Sequence, residues 1–333
     1  VFVLAGAGLA GAQDASVVYL EGSPTVKPSG GSRYDAQFGD VLSVGDSVLT
    51  GMRDFVELEQ GSASTIRVQP DTVFTIQQRE TDSGERETVM RTTVGEVRFR
   101  FQKLVTDREP MVGSATSVAG VRGTELTIYA GSDGSSLYLV EEGRVDVEGQ
   151  EETVSLGPNE AVQVSPAGRA GQKYEWPGRE LDFSQWNQDR MEAFLQEPVE
   201  SARRIQERLT GFEEEIRRLY PEYLELSTNL RDARDRLEEM EDEASEEEID
   251  AFIQEEIAPL RGRTARLLLN IRYYALSALS LKGHVLGRMY LELKARNFLS
   301  PENETFQEFL QVYNSIQADF EEFVAPRLVP DDI

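Results

Sequence analysis

The 333 residues carry 60 acidic against 34 basic side chains, a formal net charge of −26, with one histidine and no cysteine. Without cysteine there is no disulfide framework, thiolate metal site, catalytic thiol or lipid-attachment cysteine, and an acidic surface gains no counterion release from nucleic acid or an anionic bilayer. What is left is a chain long enough for two cores, with excess acid keeping it soluble.

Residues Val1–Ala12 are small and apolar and end in Ala10-Gly11-Ala12 before Gln13-Asp14. This predicts the end of a signal peptide with cleavage after Ala12, its charged n-region not being among these residues, and hence a periplasmic or secreted protein. The competing reading is a short membrane anchor, but the run is well below the roughly 20 residues that span a bilayer. The greasiest later stretch, Leu267–Leu281, carries Asn270 and Arg272 and is not expected to span one either.

From residue 16 to 165 the apolar pattern has period two. Val56 and Leu58 alternate with Glu57 and Glu59, Ile66 and Val68 with Arg67 and Gln69, Val97, Phe99 and Phe101 with Arg98 and Arg100, and Val145 and Val147 with Asp146 and Glu148. Turn residues stand between the runs at Gly61-Ser62, Pro70-Asp71, Ser83-Gly84, Asp133-Gly134 and Glu148-Gly149, so strands should pair with their sequence neighbours in an all-β domain. A sandwich and a short β-solenoid both fit the spacing. Glu96, Arg98 and Arg100 share one strand face, read as solvated rather than as an anion-binding strip.

The most distinctive passage is Ser114–Leu126. Gly120 and Gly123 bracket Val121-Arg122, which suggests backbone needing positive φ or close approach. Arg122 and Glu125 are expected to pair, and Leu126 and Ile128 alternate with Thr127 and Tyr129, so the passage reads as a kink feeding a strand. Gly120, Val121, Arg122, Gly123, Thr124 and Glu125 are read as a structural element, with a partner surface as the alternative.

Around this passage stand Leu49-Thr50-Gly51, Val56-Glu57-Leu58, Pro70-Asp71-Thr72, Val140-Glu141-Glu142-Gly143-Arg144-Val145 and Leu156-Gly157-Pro158-Asn159-Glu160-Ala161-Val162. In that order they resemble the FecR domain over residues 38–165. The resemblance implies a periplasmic β module of the kind found in regulators of iron-uptake signalling, whose partners include an outer-membrane receptor and an inner-membrane signalling protein. Those regulators carry a cytoplasmic anti-sigma segment and a membrane span ahead of the module, whereas Val1–Gln37 precede it here. Fold and location are therefore carried over, and iron regulation is kept as a minor alternative.

A Pro/Gly break opens a linker over 166–180, after which the period changes to 3.5 over 181–326. Ala202, Ile205, Leu209, Phe212, Ile216, Leu219, Tyr223, Leu226, Leu230, Ala233, Leu237 and Met240 form one seam, a helix on the order of 60 Å long with a kink expected at Pro221. An acidic tip over 239–250 follows, in which Ser245 and Glu248 have the spacing of a capping box. A second seam runs through Ile253, Ile257, Leu260, Thr264, Leu267, Ile271, Tyr274, Ala278, Leu281 and Val285, with Pro259 as an interruption and Gly283 and Gly287 loosening its end. A third helix, begun by Ser300-Pro301-Glu302 and ended by Pro326 and Pro330, offers Phe306, Phe309, Tyr313, Ile316, Phe320 and Phe323. The expected fold is thus an all-β FecR-like domain followed by an elongated antiparallel helical bundle or coiled coil, with the acidic turn farthest from the β head. The seams can mate within one chain or between copies as a homo-oligomer.

No phosphate loop, serine elbow or zinc spacing is present, and His284 has no second histidine or thiol for company. No catalytic residue, cofactor or metal site is expected. The acidic tip lacks the order of a calcium loop; Glu246, Glu247 and Glu248 are either a solvated turn or an electrostatic contact for a basic partner. The chain reads as an exported, non-enzymatic scaffold or signalling adaptor that contacts envelope proteins. The alternative is an envelope polysaccharide-binding protein or enzyme using an exposed β face, with Tyr129 and Tyr138 as its suggestive aromatics.

Overall fold

A computed structural model describes residues 14–61, 64–81, 83–102, 110–150, 152–176, 178, 181–240 and 244–328. The segment 1–12 expected as the end of a signal peptide, Ser62, residues 241–243 of the acidic run and Pro330 lie outside the described residues.

Short strands β1 (Ala15–Glu21), β2 (Thr25–Lys27), β3 (Tyr34–Asp35), β4 (Val41–Leu42), β5 (Ser47–Leu49), β6 (Phe55–Gln60), β7 (Ser64–Val68) and β8 (Val73–Glu80) lead to the long β9 (Arg86–Phe101). Then come β10 (Met111–Ser114), the long pair β11 (Val118–Ala130) and β12 (Ser136–Glu148), and β13 (Thr153–Leu156), β14 (Glu160–Val164) and β15 (Tyr174–Glu175).

Each long strand serves two layers. The first part of β9 pairs with β8 and, in parallel, with β10, while its last part pairs with β7 and β11. Likewise the start of β11 lies between β10 and the end of β12, and its end lies between β9 and the start of β12. One layer therefore runs β3-β2-β5-β8-β9-β10-β11-β12-β13 and the other β4-β1-β6-β7-β9-β11-β12-β14-β15. Phe74, Ile76, Met90, Val112 and Val145 of the first share one apolar core with Val56, Leu58, Ile66, Phe99 and Leu126 of the second. The two-layered sandwich is thus the observed form.

The three strands change layer at glycines with positive φ, Gly95 (109°), Gly123 (54°) and Gly143 (84°), a backbone region that side chains make costly. At Gly95 a Cβ would lie 2.2 Å from Thr72 Oγ1 and 2.5 Å from Thr72 Cα. Bend and close approach both demand glycine there.

The stretch expected as a linker lies on the sheet for part of its length: Ala170 bridges to Val164 and β15 pairs with β14. Helix α1 (Phe183–Gln196) is capped by Asp182, whose carboxylate accepts from Gln185 N. Helix α2 (Pro198–Met240) buries each seam position from Ala202 to Ala233 and runs on through Pro221. Helices α3 (Glu246–Phe252), α4 (Ala258–Ser280) and α5 (Gly287–Arg296) follow one another through π turns at Ile253–Ile257 and Leu281–Leu286, forming one long second helix. Pro259 enters just after the first π turn, where the ladder is already shifted, and so does not break it. Helix α6 (Glu304–Asp319) starts later than Ser300-Pro301-Glu302, because Asn303 supplies the cap by accepting from Phe306 N at 3.0 Å.

Glu222 pairs with Arg263 at 3.0 Å and Phe212 packs on Tyr274, so α2 and α4 run antiparallel. Phe194 meets Phe309, and Arg217 stacks on Phe323 at 3.8 Å, placing the third helix alongside the first.

The second helix also buries a stripe beyond its seam. Tyr273 packs on Val89, Met111 and Val118 of the sheet, and its hydroxyl accepts from Arg91 Nη2 at 2.8 Å. Asn270 acts as a strand edge, accepting from Glu80 N at 2.7 Å and donating to Glu80 O at 2.9 Å; Arg266 pairs with the Glu80 carboxylate at 2.5 Å. The turn after β11 is buried among the helices, and a Cβ on Gly134 would lie 2.8 Å from Ile205 Cδ1. The expected projecting arm is thus anchored on the sheet. At its far end Leu230, Ala233, Leu237, Phe252, Ile253 and Ile257 pack on one another, with no strand residue in that cluster among the described residues.

Candidate functional site

Two of the sequence motifs lie side by side and form a floor. Thr50 Oγ1 donates to Gln69 O at 2.7 Å and accepts from Thr72 N at 2.9 Å, while Asp71 N donates to Gly51 O at 3.2 Å. Thr72 Oγ1 in turn donates to Pro70 O and accepts from Glu96 N, both at 3.0 Å. Asp71 sits at φ 53°, a left-handed conformation that aspartate tolerates better than most residues.

Facing this floor is the π turn Leu281–Leu286 and the start of α5. His284, Gly287, Arg288 and Leu291 stand at i, i+3, i+4 and i+7, one face of a helix, and all line the same cleft. Gly283 and Gly287 leave the wall bare, and nothing lies within 4 Å of a Cβ built on Gly283. Tyr290 stacks on Tyr313 of the third helix with centroids 4.7 Å apart and closes one side. The cleft has a volume of about 560 Å³, within the size range of ligand sites.

Its lining carries one carboxylate, Asp71, and one guanidinium, Arg288. Lys27 and Arg33 lie close enough to His284 to act on its ring: partial burial first, then these two cations, hold the imidazole below its ordinary pKa. Among the described residues Lys27, Arg33 and Arg288 have no carboxylate partner. The carboxylates of Asp46 and Asp54 are held by backbone N–H groups and keep their charge. Asp46 accepts from Ser29 N at 2.8 Å and Ser43 N at 3.0 Å, and Asp54 from Gly51 N at 2.8 Å and Ser23 N at 2.9 Å. Asp71 is the carboxylate on the cleft lining.

The distinctive motif lies elsewhere, at a β-bulge. Register steps from Arg122 opposite Arg144 to Glu125 opposite Glu142, leaving Gly123 and Thr124 against Gly143. Thr124 Oγ1 accepts from Arg122 N at 3.1 Å and donates to Arg144 O at 3.0 Å. Gly120 and Val121 belong to the run before the bulge, opposite Asp146 and Val145. The expected Arg122–Glu125 pair is not formed. The bulge sets Glu125 opposite Arg100, with which it pairs at 3.5 Å, and leaves Arg122 exposed without an ion pair among the described residues.

Glu246, Glu247 and Glu248 form the exposed first turn of α3. Glu248 is engaged locally: it accepts from Ser245 N at 2.9 Å, and that bond, followed by the one from the Ser245 hydroxyl, holds its carboxyl below the usual range. Arg98 pairs with Glu96 at 2.9 Å on the strip read as solvated. Tyr129 and Tyr138 do not present an aromatic platform. Tyr129 lies under Phe183 and Trp186, and Tyr138 is in the core with its hydroxyl at 2.8 Å from Ser117 Oγ.

The sequence reading missed Arg288 and Leu291 as neighbours of Thr50 and Asp71, since they come from distant parts of the chain. The paired glycines at 283 and 287 were the available signal. Among the described residues no cluster of His, Asp and Glu has the makings of a metal site, and no helix is long and apolar enough to cross a membrane.

Residues 46–146 match the family model of FecR protein, a stretch that contains the cleft floor and the bends at Gly95, Gly123 and Gly143. The match lies within the strand-built half, and the helices lie outside it. Two crystal structures of a candidate anti-sigma factor from Parabacteroides distasonis, at 2.50 and 1.65 Å, are similar over 39% of this chain with 17% and 20% identity and a TM-score of 0.33 each. The chain covers 59% of each of those structures. A comparison with curated proteins gives no match.

Proposed function

We propose that this protein is an exported, non-enzymatic regulator, a scaffold or signalling adaptor that works in the cell envelope through contacts with other envelope proteins. One observation carries the reading: the FecR segment supplies the floor and the second helix the wall of a single cleft. The lining combines charged and apolar contact groups on elements fixed by packing, which suits recognition. The exposed Glu246 and Glu247 at the far end of the helices form a second surface, suited to a basic partner.

A photo-crosslinking amino acid in place of Leu291, expressed in the source organism and irradiated in the intact envelope, tests this. A discrete protein adduct, absent when the same group replaces the exposed Glu214 on α2, is the expected result. Labelling of wall or capsule polymer alone would instead favour a glycan-binding protein.

A further inference from the structure

We propose that the cleft binds a short zwitterionic peptide, with the ligand's ammonium on the Asp71 carboxylate and its carboxylate on the Arg288 guanidinium. The inference goes beyond the adaptor reading, since it gives the protein a small ligand of its own.

The lining presents one charge of each sign, and the fold uses neither. Asp71 belongs to the floor and Arg288 to the wall. Among the described residues neither side chain takes part in an ion pair or a hydrogen bond, with the other or with any third group. A polyanion entering the cleft would meet Asp71 and a polycation would meet Arg288, so the occupant that satisfies both carries both signs.

Each charge also has an apolar neighbour. On the floor Asp71 stands two residues before Val73, the register partner of Leu49, and on the wall Arg288 stands about one helical turn before Leu291, which is 63% exposed. All of them line the cleft. Side chains on a peptide backbone cover such apolar groups while its two ends reach the charges, which a bare headgroup of ammonium and phosphate does not do. A quaternary ammonium finds no aromatic cage here, because Tyr290 and Tyr313 stack on each other with centroids 4.7 Å apart. A primary ammonium needs only the carboxylate, to which it donates.

The backbone on both sides gives up local preference at this place. Asp71 holds φ 53°, a left-handed conformation uncommon outside glycine, and its side chain caps nothing in return. Gly283 stands in mid-helix, where glycine is weaker than alanine, although a Cβ there meets open space. Both face one cleft of about 560 Å³, a volume in the range of ligand sites. Unfavourable local choices gathered on one cavity point to an occupant, and filling the space at Gly283 blocks it without disturbing the fold.

The test follows amide resonances of the isotope-labelled full chain on titration with Leu-Leu-Leu, its N-acetyl form, its C-terminal amide and phosphoethanolamine. The free tripeptide should shift the resonances of Asp71, Gly283 and Gly287, and acetylation or amidation should each weaken binding by about tenfold. Asp71→Asn, which keeps a residue tolerant of the left-handed region, should erase the loss caused by acetylation alone, and Arg288→Gln the loss caused by amidation alone. Gly283→Leu should abolish binding with the melting temperature unchanged or raised. No binding of the free tripeptide, equal binding of free and blocked forms, charge variants that leave both losses intact, or unchanged binding to Gly283→Leu overturns the proposal. Binding of phosphoethanolamine in place of the tripeptide overturns it in favour of a lipid headgroup. A Leu291 crosslink to a protein without peptide binding removes this proposal and leaves the adaptor reading; peptide binding without such a crosslink removes the adaptor reading alone.

Discussion

Tyr273→Phe is the most informative single change at the junction of sheet and helices. Arg91 is 1% exposed and its guanidinium donates to Gln77 Oε1 at 2.9 Å, to Ser114 O and to the Tyr273 hydroxyl at 2.8 Å, while lying 5.4 Å from the Tyr273 ring centroid. The substitution keeps the ring and removes the acceptor, leaving a buried charged donor without a partner. A hydrogen bond to a charged group is worth about 1.5–3 kcal/mol. At roughly 2–4 °C per kcal/mol for a chain beyond about 150 residues, the melting temperature should fall by about 3–12 °C, and amide exchange should quicken in α4 around Asn270, where the helix is held to Glu80. A cycle with Arg91→Met separates this bond from general packing. Because both changes remove the same contact, the double variant should be less destabilised than the sum of the singles by more than about 0.5 kcal/mol. Additive losses, or a Tyr273→Phe protein with unchanged stability and exchange, would refute the view that this contact locks helix to sheet.

Two further expectations concern single residues. Gly95→Ala should cost about 3 kcal/mol or more, since the new Cβ meets Thr72 at 2.2 Å with φ at 109°, whereas Gly283→Ala should be neutral or gain up to about 1 kcal/mol; urea denaturation giving similar changes for both would contradict the close-approach argument. His284, the one histidine, should titrate by NMR below its ordinary value of about 6.5. The unfolded chain then takes up the proton first, so the contribution of His284 to stability is complete above about pH 6.5 and is lost as pH falls through the lowered folded value. Lys27→Gln should raise the midpoint, and a midpoint at or above 6.5 in the unaltered protein would exclude the cationic surroundings inferred from the structure.

Local periodicity made much of this fold legible. Alternation such as Val56-Glu57-Leu58 marks strands whose inner face is the sandwich core, and the three-four steps from Ala202 to Ala233 mark the buried face of α2. The order of the FecR motifs was legible too, and residues 46–146 bear it out. Register was not. Arg122 and Glu125 seemed paired because they are near in sequence, but a bulge of two residues against Gly143 hands Glu125 to a strand formed about 25 residues earlier. Tyr138 looked like an exposed aromatic and is a core residue, because on a strand flanked by helices and covered on both faces alternation no longer separates inside from outside.

The docking of the helices was hidden for a related reason. A heptad reports one buried face, and the second helix has two: Leu267, Ile271 and Ala278 face the bundle while Tyr273 and Ser277 face the sheet. The clue lay in the strand. A charge such as Arg91, between Met90 and Thr92 in an otherwise buried run, needs a partner from elsewhere, and it finds one 182 residues further along the chain. The cleft follows from that docking. Once Asn270 and Tyr273 hold α4 to the sheet, the helix continues past Thr50 and Asp71 and must either fill the gap with side chains or leave it open. At Gly283 and Gly287 it leaves it open, with Arg288 on the lining, so the same junction that ties the helices to the strand-built half also shapes the cleft.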